Sequence, residues 1–121
     1  MARRVESDHS NEVLEACEAA LEHRFQNRDL LKNCLTHASG ANHRLASNER
    51  LEFLGDAILG AVVCEMLYHR FPEETEGELT RIKSIVVSRT TCAKISVALG
   101  LPGFLLLGKG LSIHDSTFST R

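Results

Sequence analysis

At 121 residues, with 43% hydrophobic and 25% charged residues, the chain has the ordinary balance of one small folded domain and leaves no room for a second. Its formal net charge of -2 argues, taken as a bulk value, against a nucleic-acid partner. The longest apolar stretches are too short to span a bilayer, and the start, Met1-Ala-Arg-Arg-Val-Glu-Ser-Asp8, has no apolar run and contains acids, which fits neither a secretion signal nor a transit peptide.

Residues 1–10 read as a polar, frayed extension. Ser10 or Asn11 can cap a helix running to about Arg24, with Val13, Leu14, Cys17, Ala20 and Leu21 on one face. Asn27 is the expected cap of a short helix through Leu30, Leu31 and Cys34. Thr36-His-Ala-Ser-Gly-Ala-Asn-His43 is a loop by composition. The spacing of His37 and His43 suits neither a helical ligand pair nor a finger-type metal site, so hydrogen bonding or packing is the expected role. A long helix then runs from Glu49 to about Arg70, capped by Ser47 or Asn48 and stopped by Phe71-Pro72. Thr75-Glu-Gly-Glu78 has the form of a capping box and opens a helix through Leu79, Ile82, Ile85 and Val86. A break is expected at Ser88-Arg-Thr-Thr91, after which the helix resumes through Ile95 and Leu99 to a stop at Gly100. Leu101-Pro-Gly103 turns into the apolar run Phe104 to Leu107. No repeat and no convincing strand occurs, so the fold class is all-α. The four cysteines, Cys17, Cys34, Cys64 and Cys92, are widely spaced and read as reduced, mostly buried thiols of a cytosolic protein.

Charge is unevenly placed. Residues 1–48 carry six basic and seven acidic side chains, 49–78 carry two and eight, and 79–121 carry six and one. An acidic block followed by a basic tract suits holding cations and then meeting phosphates. A solvated acidic surface ahead of a basic helix gives the same pattern.

The acidic block falls on the long helix. At about 100° per residue, Glu49, Glu52 and Asp56 form one narrow stripe, and Leu51, Leu54, Ile58, Ala61 and Val62 form the opposite, apolar face. Carboxylates on adjacent turns repel one another unless a cation neutralises them, and hard divalent ions prefer carboxylate oxygen. An exposed acidic face remains the alternative on spacing alone. Gly55 costs the helix about 1 kcal/mol relative to alanine, which a close neighbour or a partner's backbone would explain. Phe53 lies off the main apolar face, as an interface ring would; an ordinary core ring is the alternative.

The local sequence Glu49-Arg-Leu-Glu-Phe-Leu-Gly-Asp-Ala57 is similar to the signature of the ribonuclease III family. Thr36-His-Ala-Ser39, Leu67-Tyr-His-Arg-Phe-Pro72, Glu76-Gly-Glu-Leu-Thr-Arg81 and Leu105-Leu-Leu-Gly-Lys-Gly110 also resemble family segments, in the family's order, over about residues 13–113. The resemblance implies the ribonuclease III endonuclease-domain fold and metal-dependent hydrolysis of double-stranded RNA in RNA processing. Magnesium is the implied cofactor, with manganese as a substitute. Two sites of a homodimer would face one duplex and make a staggered cut. Glu52 matches a metal ligand and Asp56 a catalytic and metal-binding aspartate. Glu49 and Glu76 match further acidic positions of the site. Phe53 matches a ring that enters a hollow on the partner subunit, with Gly55 beside it at the interface. Arg81, Lys83, Arg89, Lys94 and Lys109 are candidate phosphate contacts, of which Arg81, Lys83 and Lys109 are carried forward. No membrane partner is implied, and the expected location is cytoplasmic.

Family members complete the site with an aspartate and a glutamate three residues apart on a later helix. Here the sequence reads Leu111-Ser-Ile-His-Asp-Ser-Thr-Phe118, and Asp115 has no acidic partner at that spacing. The expectation is therefore a catalytic domain over residues 11–121 that is incomplete at its C-terminus, with no double-stranded-RNA-binding domain and little activity alone. A catalytically incomplete dimerisation or RNA-binding domain is the second reading.

Overall fold

The structure is a computed structural model that describes residues 2–41, 45 and 47–106, with side chains from residue 10 onward. His43, Lys109, Asp115 and the Gly108-Lys-Gly110 turn lie outside the described residues. Among the described residues the chain forms five α-helices: α1 (Ala2–Leu21), α2 (Arg28–Leu35), α3 (Glu49–Arg70), α4 (Glu76–Val86) and α5 (Arg89–Ala98). Two short 3-10 turns, Ala38–Gly40 and Leu101–Phe104, complete the described elements. The all-α class holds, and among the described residues the sole β feature is an isolated bridge between Thr36 and Leu106.

Local chemistry sets most boundaries where the sequence placed them. Asn27 Oδ1 accepts the Leu30 N–H at 3.2 Å and opens α2. Thr75 Oγ1 accepts the Glu78 N–H at 3.3 Å and opens α4. Half of the capping box is thus present, while the Glu78 carboxylate turns to Arg81 instead. Ser88 Oγ accepts the Thr91 N–H at 3.1 Å, so the break before α5 is confined to Val87 and Ser88. Gly100, at φ 73°, ends the α5 segment in the left-handed region that glycine tolerates.

Three expectations need correction. Residues 2–10 continue α1 instead of fraying, since nothing from Ala2 to Ser10 is a proline or glycine that would interrupt a helix. At its other end α1 stops at Leu21, and Glu22 adopts φ 53° there, three residues short of the expected end. Of the four cysteines, only Cys17 is buried; Cys34 and Cys64 are exposed and Cys92 is half-buried, all four being free thiols.

The core lies to one side of the molecule. Leu14 and Cys17 of α1 meet Leu31 and Leu35 of α2, and Leu21, Phe25, Leu101, Phe104 and Leu105 close around them. The α1–α2 turn is tied by Glu18, a buried carboxylate that accepts the Phe25 N–H and an Arg28 Nη2–H, each at 2.8 Å. Both bonds favour the ionised form, the backbone one most, and they hold its carboxyl below the usual range.

The start of α3 is pinned to this core. Asn48 donates its backbone N–H to Thr36 O at 3.0 Å and its side-chain amide to Cys34 O at 3.3 Å. The same strand-like segment is held from the other side, where His37 N–H reaches Leu106 O at 3.1 Å and Leu106 N–H reaches Leu35 O at 2.8 Å. His37 Nδ1 accepts the Ser39 N–H at 3.1 Å, the loop hydrogen-bonding role its sequence context suggested. Helix α3 packs along α4, yet Leu67 is its sole buried residue.

Candidate functional site

The acidic stripe lines a cleft of about 530 Å³ between α3 and the α4–α5 junction. Glu49, Glu52, Phe53 and Asp56 come from α3, and Val87, Arg89 and Cys92 from the facing wall. Three of the four predicted acidic residues are thus brought to one place by helical periodicity alone. Glu49 and Glu52 are three residues apart and Glu52 and Asp56 four apart, which leaves neighbouring Cβ atoms about 5–6 Å from each other. All three are exposed, so water screens their mutual repulsion and the stripe is tolerated without a buried-charge cost.

Glu76 is not part of this cleft. It opens α4 beyond the Arg70 end of α3, and the fourteen residues from Asp56 to Arg70 put it roughly 20 Å away along the helix axis. Among the described residues, no group of three or more His, Cys, Asp or Glu side chains is arranged to hold a metal ion. The donor set nevertheless suits one class of cation. Magnesium is characteristically bound through one or two carboxylates, with waters and substrate phosphates filling the remaining positions, and does not need an all-protein cage. Glu52 and Asp56, hard oxygen donors one turn apart on an open cleft, fit that mode of binding.

The basic candidates separate into distinct situations. Arg81 is engaged within its own helix, donating from Nε to both Glu78 oxygens at 3.1 Å. That bond holds the Glu78 carboxyl below its usual range and raises the guanidinium further. Lys83 lies along α3, with its Cε and Nζ each 3.6 Å from where a Cβ on Gly60 would stand, one turn beyond Asp56. Among the described candidates, Arg89 alone lines the carboxylate cleft. Its placement was not legible beforehand, because it depends on the Ser88 cap that fixes where α5 begins. Cys92 and Val87, also on that wall, carried no signal in the sequence beyond helix position.

The remainder of α3 is unusually apolar on its outside. Phe53 is 82% exposed, which excludes the core-ring reading, and Leu54, Ile58, Leu59, Val62 and Met66 are each at least 44% exposed. Among the described residues, little covers the face opposite the acidic stripe. Beside Phe53, a hollow of about 700 Å³ is lined by Leu30, Leu45, Leu51 and Leu54 together with Asn33, Glu49 and Arg50. Gly55 has no atom within 4 Å of where a Cβ would stand, so no close neighbour among the described residues accounts for it.

Comparison with known proteins is consistent along the chain. Residues 27–120 match the family model described as Ribonuclease-III-like. Ribonuclease 3 of Rhodopirellula baltica is 56% identical over 103 residues, covering 85% of this chain and 39% of that protein. Ribonuclease 3 of Geobacter metallireducens is 48% identical over 98 residues, covering 77% and 40%. A solved nuclease domain of ribonuclease III from Campylobacter jejuni, described for structural flexibility in a region involved in dimer formation, superposes with a TM-score of 0.77 at 36% identity, covering 86% of this chain and 71% of that one. The chain spans about two fifths of the length of these curated relatives.

Proposed function

Because the chain belongs to the ribonuclease III family, we propose that it is the metal-binding part of an endoribonuclease that hydrolyses phosphodiester bonds in double-stranded RNA. The observation that carries this reading is the cleft that gathers Glu49, Glu52 and Asp56 opposite Arg89. Glu52 and Asp56 would hold magnesium, or manganese in its place, and Glu49 adds negative charge one turn earlier that favours a cation at the same wall. The ion, when bound, supplies Lewis-acid polarisation of the phosphoryl oxygen and lowers the pKa of water. The chain's own part is to hold the carboxylates in line, and the Asn48 anchors to the end of α2 and the pairing of 35–37 with 106 support that by fixing where α3 starts. Duplex RNA would be read by shape, phosphates and 2′-hydroxyls, and Lys83, which lies over Gly60 one turn beyond Asp56, would meet its backbone.

A twofold dimer belongs to this proposal. Phe53 and the hollow next to it are self-complementary elements on one surface, the arrangement a symmetric interface requires. A partner's backbone over Gly55 would also account for a glycine inside a long helix. Cytoplasmic location and a role in RNA processing follow the family reading. Among the described residues, no helix is long and apolar enough to cross a membrane.

The test uses the length that relatives possess. Residues 13–106 of this chain, exchanged for the matching segment of the Rhodopirellula protein, should yield a nuclease that cuts duplex RNA with magnesium, and Asp56→Asn should abolish cutting. A folded exchange protein whose cutting survives Asp56→Asn contradicts the assignment. The second reading, duplex binding or dimerisation without cleavage, draws on the lack of a three-ligand metal group among the described residues. Tight RNA binding with no cutting by the exchange protein would select it.

A further inference from the structure

The cleft has walls of opposite character. Three carboxylates stand on α3, and among the described lining residues only Arg89 is cationic. A phosphodiester that comes within reach of Glu52 and Asp56 meets their repulsion, so its approach depends on positive charge from the facing wall. A guanidinium suits this role better than an ammonium, because its planar fork can bond two phosphate oxygens at once.

The other described cations are placed differently. Arg81, Lys83 and Lys94 do not line the cleft. The backbone beneath Arg89 is held on both sides. Ser88 caps Thr91, the Thr91 hydroxyl donates to Ile85 O at 2.8 Å, and Cys92 Sγ donates to Val87 O at 3.7 Å. Arg89 thus projects an exposed side chain from a fixed point at the first residue of α5.

Resting on the nuclease reading of the cleft, we infer that Arg89 is its phosphate-orienting residue. It grips a backbone phosphate of the RNA duplex on the wall opposite Glu52 and Asp56 and so fixes which phosphodiester lies against them. Sequence position alone does not distinguish it from Arg81, Lys83 and Lys94; the cleft does.

The experiment titrates a short, fully paired RNA duplex with the 121-residue chain in magnesium, at several salt concentrations, by fluorescence anisotropy. Wild type, Arg89→Ala, Arg89→Lys and Arg81→Ala are compared. Loss of one phosphate contact lowers the slope of log affinity against log salt by about 0.9. Arg89→Ala should show that drop with several-fold weaker binding. Arg89→Lys should keep the wild-type slope while losing part of the affinity, and Arg81→Ala should match wild type. If Arg89→Ala keeps the wild-type slope, whether or not affinity falls, Arg89 is a structural residue and the inference is overturned. Wild-type chain that shows no salt-dependent duplex binding overturns the nuclease reading as well.

Discussion

Replacing Phe53 with alanine separates an interface ring from every other role it could have. The ring is 82% exposed in the single chain. Fully burying a phenylalanine is worth about 1.5–3 kcal/mol, so covering the exposed part of this one should contribute about 2 kcal/mol. A twofold axis counts the ring twice, giving about 3–4 kcal/mol, and at about 1.4 kcal/mol per decade the dimer dissociation constant should rise roughly 300-fold. The fold of the isolated chain should hardly change, because surface substitutions away from special features fall within about 0.5 kcal/mol. A core ring would instead cost about 3–5 kcal/mol. Sedimentation equilibrium over a wide concentration range measures the first quantity, and thermal unfolding at high dilution measures the second. Unchanged association in Phe53→Ala, or a wild-type chain that stays monomeric at the highest concentration, would refute the reasoning.

Other parts of the structure are equally open to test. Glu18 has a depressed carboxyl pKa in the folded chain, caused first by the Phe25 N–H and then by Arg28. Its contribution to stability is complete above the unfolded carboxylate value of about 4.3 and is lost as pH falls through the lower folded value; Glu18→Gln should flatten that acid limb of the thermal midpoint against pH, and an unaltered limb would show the bonds to be unimportant. Leu31 is 3% exposed at the centre of the α1–α2 core. Leu31→Ala should lower unfolding stability by about 2–5 kcal/mol in denaturant titration, whereas a change under 1 kcal/mol would mean that the core lies elsewhere.

Much of the fold was legible because single side chains decide where helices begin. Asn27, Thr75 and Ser88 each accept an N–H that the helix cannot satisfy itself, and Gly100 ends the α5 segment. The bounds of α3 were readable from Asn48 and from Phe71-Pro72, although the Asn48 side chain makes no cap and bonds to Cys34 O instead. The co-location of Glu49, Glu52 and Asp56 needed only the helical period. What periodicity could not give is which face of α3 finds a neighbour. Its apolar side reads like a core face, yet Leu54, Ile58 and Val62 are half exposed, because the core formed between α1 and α2 instead. Glu76 resembled a site residue by local sequence, but its distance from the cleft is set by the length of α3 and the antiparallel return of α4. Arg89 was one basic residue among several until the α4–α5 junction placed it across from the carboxylates.

Whether Glu52 and Asp56 together hold a divalent cation is tested by binding of manganese to the purified chain, followed by electron paramagnetic resonance of the free ion. Because one or two carboxylates suffice for such a site, wild type should deplete free manganese saturably, and magnesium should compete. Both Glu52→Gln and Asp56→Asn should weaken binding at least tenfold, while Glu76→Gln should leave it unchanged. Equal manganese binding by wild type and Asp56→Asn, with both proteins folded, would contradict the account.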